Sequence, residues 1–162
     1  MTDLTGEDPP KTCTFREQIR LAWVMDTMAP TRPMVKRSRH ISLIAGPTAA
    51  AEARRQVQEA IRTWEAPVDR SIAILLTSEL VTNALQHEAG DTVLLVISCG
   101  GDEFCVHVHD TSRAAPVPVE APADAEKGRG LLLTTKLSTE WGYYWTAAGK
   151  AVYFTLSFEA DP

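Results

Sequence analysis

The chain has 162 residues, of which 44% are hydrophobic and 23% charged, as is ordinary for one soluble globular domain or one domain plus an arm. The net charge of −5 argues against a DNA-binding domain, so the basic run at 32–40 is better interpreted as a solvated edge or linker. Three cysteines without CxxC spacing, no membrane-length apolar stretch and an acidic, Pro-rich start unlike a signal peptide predict a cytoplasmic protein with no direct contact to nucleic acid or membrane.

Residues 1–35 are interpreted as an N-terminal arm, partly disordered or helical, and residues 36–162 as a single domain. The elements predicted for this domain are, in chain order, a strand at 35–46, helices at 47–64 and 66–88, a strand hairpin at 91–99 and 104–110, a Pro/Ala-rich loop at 111–127, a helix at 128–138 and a closing hairpin at 139–147 and 151–158. Asp69 is a plausible cap of the second helix. This order predicts an α/β (α+β) two-layer sandwich, with a mixed, mostly antiparallel sheet and helices on one face.

Two polar residues interrupt the apolar stripe of the second predicted helix. On a helical wheel Asn83 lies about 40° and Leu76 about 60° from Glu79. A carboxylate in such a stripe is costly unless it is paired, hydrogen-bonded or near a metal, and Mg²⁺ commonly takes one or two protein oxygens. A magnesium site is one interpretation. A helix rotated so that Glu79 reaches solvent, or a Glu79 that bonds a neighbouring backbone, explains the same pattern.

The second strand of the first hairpin ends in an acidic residue. Alternation places Asp110 on the same face as Phe104 and Val108, which predicts an inward carboxylate able to accept a hydrogen bond from an exocyclic amine such as that of adenine. The alternative is that Asp110 opens a turn, because DTS is a common turn sequence. His107 and His109 fall on the opposite face, where we expect sheet-surface residues rather than a metal site.

Glycines and cations surround the start of the third predicted helix, in the stretch KGRGLLLTT. Gly128 and Gly130 flank Arg129, and Lys127 precedes them. Exposed backbone N–H groups, the helix dipole and the two cations favour a phosphate at this position. A glycine-rich helix entrance without a ligand is the alternative interpretation.

Taken in this order, the three segments resemble the GHKL (Bergerat-fold) ATPase family. ELVTNALQH, HDTS and KGRGLLLTT are similar to its N, G1 and G2 boxes, and SELVTNALQH together with GRGLLL is most similar to the anti-sigma-factor serine/threonine kinases of actinobacteria. The resemblance covers roughly residues 40–158. It implies a Bergerat ATP-binding fold that uses ATP and Mg²⁺.

The resemblance also implies residue roles. Glu79 would be the catalytic base or water-polarising group, and Asn83 would ligate Mg²⁺. The nucleotide-binding residues that it implies are Asn83, His87, Asp110, Lys127, Gly128, Arg129, Gly130 and Leu131. For His87, a capping or core role near the helix end is an equally good interpretation.

The implied function is a protein kinase that phosphorylates an antagonist protein of the anti-anti-sigma type and binds a sigma factor or similar regulator, with a homodimer as a plausible assembly. One departure from the family pattern leaves the shape of the adenine pocket undetermined. The family usually has DxGxG at the end of this strand, and this chain has DTSRA at 110–114. The alternative is therefore a non-catalytic module that sequesters a partner, with weak, structural or no nucleotide binding.

Overall fold

A computed structural model of the chain describes residues 36–87, 90–114, 116 and 129–159. Its elements are β1 Arg37–Ile44, α1 Ala49–Trp64, α2 Arg70–His87, β2 Thr92–Gly100, β3 Glu103–Asp110, α3 Arg129–Leu137, β4 Glu140–Trp145 and β5 Lys150–Ser157. Every strand and helix predicted for the domain is present, with ends that differ by at most four residues. The predicted arm at 1–35 and most of the predicted loop at 111–127 lie outside the described residues.

The five strands form one sheet in the order β1-β2-β3-β5-β4. β2–β3 and β4–β5 are the two predicted hairpins, and β5 lies between β3 and β4. The prediction of a two-layer α/β sandwich is confirmed; a mixed sheet was predicted, whereas all pairings among the described strands are antiparallel. Among the described residues, no helix is both long enough and apolar enough to cross a membrane.

The core lies between one face of the sheet and the three helices. Alternate residues of the strands face the helices, and their side chains are buried: Leu43, Val93, Leu95, Ile97, Phe104, Val106, Val108, Val152, Phe154 and Leu156. α2 is the central helix of the second layer, since it packs against α1, α3 and three strands. Burial of this apolar face is the main stabilising contribution to the fold.

The predicted cap of α2 is confirmed. The backbone N–H of Ile72 donates to Asp69 Oδ1 at 3.1 Å, and this bond satisfies one of the N–H groups that a helix start leaves without a partner. Replacing Asp69 with alanine is expected to lower the free energy of unfolding by about 1 kcal/mol. Urea denaturation of Asp69→Ala and Asp69→Asn measures this, and asparagine, which caps as well as aspartate, is expected to restore most of the loss. Equal stability of all three proteins would contradict the role of the cap.

The face of the sheet opposite the helices is not uniformly exposed. His107 was expected at the sheet surface, but it is only 1% exposed, so that prediction is wrong. Its ring stacks on Tyr153 with centroids 5.3 Å apart, and its two nitrogens lie 3.0 Å from Cys105 Sγ and 3.1 Å from the Tyr144 hydroxyl. His109, next along this face, is half-buried. Sheet position alone therefore did not determine the environment of His107, because aromatic neighbours on β4 and β5 enclose it.

Candidate functional site

Several strands and helices begin or stop at the same end of the sandwich. β3 stops at Asp110, which pairs in register with Lys150, the first residue of β5. β2 runs antiparallel to β3, so its first residue, Thr92, lies at this same end. A short connection joins Thr92 to His87, the last residue of α2. The C-terminal half of α2, including Asn83, is therefore brought to the end at which β3 stops.

The chain just after α3 is held at the opposite end of the sheet. The Thr139 backbone N–H donates to the Thr155 carbonyl at 2.9 Å, and the Ser157 N–H donates to Thr139 Oγ1 at 2.8 Å. α3 stops at Leu137 and packs against α2, and its nine residues span about 13 Å. Its N-terminus at Arg129 is therefore directed back towards the end at which β3 stops.

Glu79 and Asn83 lie at the margin of the buried stripe of α2. The stripe runs through Leu76, Leu80 and Ala84, and Leu80 is about 100° from Glu79 around the helix. Both polar residues are half-buried. The prediction that they lie within the apolar stripe is therefore corrected: they lie along its edge, where a side chain reaches both the packed layer and solvent.

A hydrogen bond between helices shows which flank of α2 they occupy. Arg54 Nη1 on α1 donates to Ser78 Oγ at 3.2 Å, so Ser78 faces α1. Asn83 is about 140° from Ser78 around the helix and Glu79 about 100°. Because α3 packs against α2 as well, Asn83 lies towards α3, and Glu79 lies between that side and solvent.

Asp110 points inward, as alternation predicted. Its side chain is 1% exposed, and its Oδ1 lies 3.0 Å from Lys150 Nζ, whose side chain is 2% exposed. The backbone N–H of Ser112 donates to the same Oδ1 at 2.8 Å, so Asp110 also opens a turn. The predicted inward direction and the alternative turn therefore occur together, and the DTS sequence forms a turn that is bonded back to the carboxylate. The predicted hydrogen bond from adenine to Asp110 stays a prediction.

The turn between β4 and β5 packs closely against the end of β3. A Cβ on Gly149 would lie 2.6 Å from Thr111 Cα and would also overlap the carbonyl oxygen of Asp110. Arg113 Nη2 donates to the Ala147 carbonyl at 3.0 Å, which ties the segment after β3 to the same turn. The backbone around the Asp110 carboxylate is therefore braced from two sides.

Sequence reasoning missed Lys150. A usable signal was present, because alternation in β5 places Lys150 on the same face as Val152 and Phe154, so that it is an inward cation at the start of a strand. What the pattern did not provide is the pairing of β5 with β3, without which the cation has no evident partner.

The other predicted residues divide between the described and undescribed parts of the chain. Arg129 and Gly130 are the first two residues of α3, and His87 is the last residue of α2. Leu131 is buried and belongs to the hydrophobic core. Lys127 and Gly128 lie outside the described residues, so their predicted contact with phosphate stays a prediction.

This end of the molecule combines an inward carboxylate and ammonium with a helix N-terminus and a half-buried amide. Such a set suits a ligand that is a hydrogen-bond donor at one end and an anion at the other. In the described part of the chain no three His, Cys, Asp or Glu side chains come together as a metal site. Asn83 and Glu79 could supply one or two oxygens to a Mg²⁺ ion that takes its other ligands from water and phosphate.

Comparison with known proteins finds a family model and solved structures that match the chain. A family model described as the histidine kinase-like ATPase domain matches residues 43–156. Among solved structures, the chain is similar to the RsbU and RsbW domains of Rv1364c from Mycobacterium tuberculosis, with a TM-score of 0.54 and 21% sequence identity. This match covers 77% of the present chain and 35% of the other, so it supports the fold and not a shared activity.

No curated protein matches the chain. The family model, however, spans α1, α2, β2, β3, α3 and β4 in full, together with nearly all of β5, so it includes every element that contributes to the end at which β3 stops. The chain therefore belongs to the histidine kinase-like ATPase domain family, the GHKL ATPases.

Proposed function

We propose that the chain binds Mg·ATP at the end where β3 stops and acts as an anti-sigma-factor-like serine/threonine protein kinase. Its substrate would be an antagonist protein, and it would itself bind a sigma factor or similar regulator. The observation that carries this proposal is the buried carboxylate of Asp110 at the end of β3 in a domain of an ATPase family. The start of α3 and the Asn83 flank of α2 support it, because both are directed to the same end.

In this proposal each residue has a separate task. Asp110 accepts a hydrogen bond from the exocyclic amine of adenine, the N-terminus of α3 binds phosphate, and Asn83 ligates a Mg²⁺ that neutralises phosphate charge. The acceptor hydroxyl oxygen bonds to the γ-phosphorus while the bond from that phosphorus to the bridging oxygen of ADP breaks. Glu79 takes the hydroxyl proton. Phosphoryl transfer depends mainly on such positioning and charge neutralisation.

The test of catalysis removes the proposed general base, Glu79, and keeps the shape of its side chain. Glu79→Gln is expected to lower the rate of transfer by about 10²–10⁴-fold, as loss of a general base does, while the Kd for Mg·ATP stays within about threefold of the wild-type value. The measurement is transfer of ³²P from ATP to purified candidate antagonist proteins, with calorimetry for binding. Glu59→Gln, which changes a carboxylate on α1 that is half-buried like Glu79, is the matched control. Unimpaired transfer by Glu79→Gln would reject its assigned role.

A second function is a non-catalytic module that sequesters a partner. The observation that favours it is that Oδ1 of Asp110 is already occupied by Lys150 and by the Ser112 N–H. Nucleotide titration separates the two functions. Ligand at about 100 times its Kd stabilises a protein by about 2.7 kcal/mol, so Mg·ATP or Mg·ADP should raise the melting temperature clearly. No rise for the wild-type protein would leave only partner binding.

A further inference from the structure

Lys150 is a buried cation beside the carboxylate proposed to recognise the base. Its side chain is 2% exposed, and its Nζ lies 3.0 Å from Asp110 Oδ1. Lysine is almost never buried unless its ammonium is paired, because loss of hydration disfavours the charge. The register of β3 and β5 places the two residues directly opposite each other, so the pair is built into the sheet rather than formed by chance on a surface.

The pair has hydrogen-bonding capacity left over. An ammonium has three N–H donors, and Asp110 is the only acceptor for them that the described residues provide. Both donors that reach the carboxylate from this part of the chain, Lys150 Nζ and Ser112 N–H, bond to Oδ1. Oδ2 therefore presents an acceptor next to an ammonium with donors to spare.

An acceptor beside a donor matches a particular chemical pattern. The complementary ligand edge carries an N–H donor next to an acceptor atom, as the N6 amine and the N1 nitrogen of adenine do. Asp110 alone can satisfy only the amine. The ring nitrogen, which is left without a partner if Asp110 acts alone, then has a donor in Lys150, and an unsatisfied buried acceptor would otherwise weaken binding.

We propose that Lys150 is a second base-recognition residue of this site. Its ammonium holds the Asp110 carboxylate through Oδ1, which leaves Oδ2 for the exocyclic amine, and it donates a hydrogen bond to the ring nitrogen beside that amine. This assignment rests on the proposed nucleotide binding and deepens it, because it makes an acid–base pair rather than one carboxylate responsible for choosing adenine.

The test compares two nucleotides that differ at one atom. In 1-deaza-ADP a CH group replaces N1, so the acceptor for Lys150 is lost while the amine for Asp110 remains. Wild-type protein is expected to bind Mg·ADP about tenfold or more tightly than Mg·1-deaza-ADP, as suits a hydrogen bond from a charged donor. Lys150→Met is expected to bind Mg·ADP about tenfold or more weakly than wild type and to discriminate less than about twofold between the two nucleotides. Calorimetry measures each Kd without any need for activity.

Three controls separate a loss of base recognition from a general loss of structure. Tripolyphosphate, which has no base, is expected to bind wild type and Lys150→Met equally. Lys136→Met, which removes an exposed lysine of α3, is expected to leave every Kd unchanged. Lys150→Arg keeps the cation and is expected to recover part of the affinity for Mg·ADP. If Lys150→Met does not fold, as its circular dichroism will show, the comparison of the two nucleotides on wild type and Lys150→Arg still decides the matter.

The outcomes distinguish this inference from the function on which it rests. Equal affinity of the wild-type protein for Mg·ADP and Mg·1-deaza-ADP overturns the role of Lys150 and leaves nucleotide binding intact. Tighter binding of Mg·ADP by Lys150→Met also overturns it, because the ammonium would then occupy the place of the amine. Absence of any Mg·ADP binding by the wild-type protein overturns both proposals.

Discussion

Replacing Gly149 with alanine is expected to lower the free energy of unfolding by about 3 kcal/mol, because overpacking against backbone cannot be relieved by a side-chain rotation. The added Cβ would lie 2.6 Å from Thr111 Cα and would overlap the Asp110 carbonyl oxygen. Either the β4–β5 turn or the end of β3 must move. Because Lys150 directly follows Gly149 and Asp110 is the last residue of β3, the variant is also expected to lose affinity for Mg·ADP. Urea denaturation and calorimetry measure the two effects.

Gly100→Ala is the matched control for this prediction. A Cβ on Gly100 would lie 3.2 Å from Lys36 Cα, at the start of the described chain, and a contact of that length needs only a small adjustment. Its expected cost is below about 1 kcal/mol. If Gly149→Ala were as stable as Gly100→Ala and bound Mg·ADP normally, the turn would not be braced against β3 as the structure indicates.

Most of the fold could be predicted from the sequence because its elements have clear local signals. The alternation that placed Phe104, Val108 and Asp110 on one face depends only on the period of a strand. The cap of α2 could be predicted because Asp69 has the side chain that a helix start requires, although the helix was predicted to begin at residue 66 and begins at Arg70. Both signals arise from residues close together in the chain, so no knowledge of the tertiary structure was needed.

The orientation of α2 could not be predicted in the same way. Apolar residues occur on nearly all its sides, among them Ile72, Ile74, Leu80 and Leu85, because this helix packs against α1, α3 and the sheet together. A helical wheel then has no single apolar stripe on which to centre. The edge position of Glu79 therefore follows from tertiary packing and not from the spacing of the apolar residues.

The candidate site shows the same division between local and distant signals. Asp110 was predicted, because its inward direction is a property of β3 alone. Lys150 was missed, because its role depends on β5 pairing with β3 across the intervening segment and α3. A pairing between strands far apart in sequence has no turn signal of the kind that identifies a hairpin. Only one member of the Asp110–Lys150 pair could therefore be predicted from the sequence.

Acidification is expected to destabilise the protein through His107. Burial, and to a smaller extent the nearby positive charges of His109 and Lys36, lower the pKa of this imidazole to about 3. In the unfolded chain the pKa is near 6.5, so between these two values the unfolded state binds a proton that the folded state does not. Stability is therefore fully present above about pH 6.5 and falls by about 1.4 kcal/mol for each pH unit below it.

The contribution of His107 can be isolated by a variant that does not titrate. Between pH 6.5 and pH 5, wild-type protein is expected to lose about 2 kcal/mol more of its free energy of unfolding than His107→Gln does. Urea denaturation at both pH values measures this difference, and His40→Gln, which removes an exposed histidine, is expected to follow the wild type. The absolute stability of His107→Gln does not decide the question, because the substitution also removes the ring that stacks on Tyr153. Only the difference in pH dependence does, and an equal decline in all three proteins would mean that His107 is protonated in the folded state.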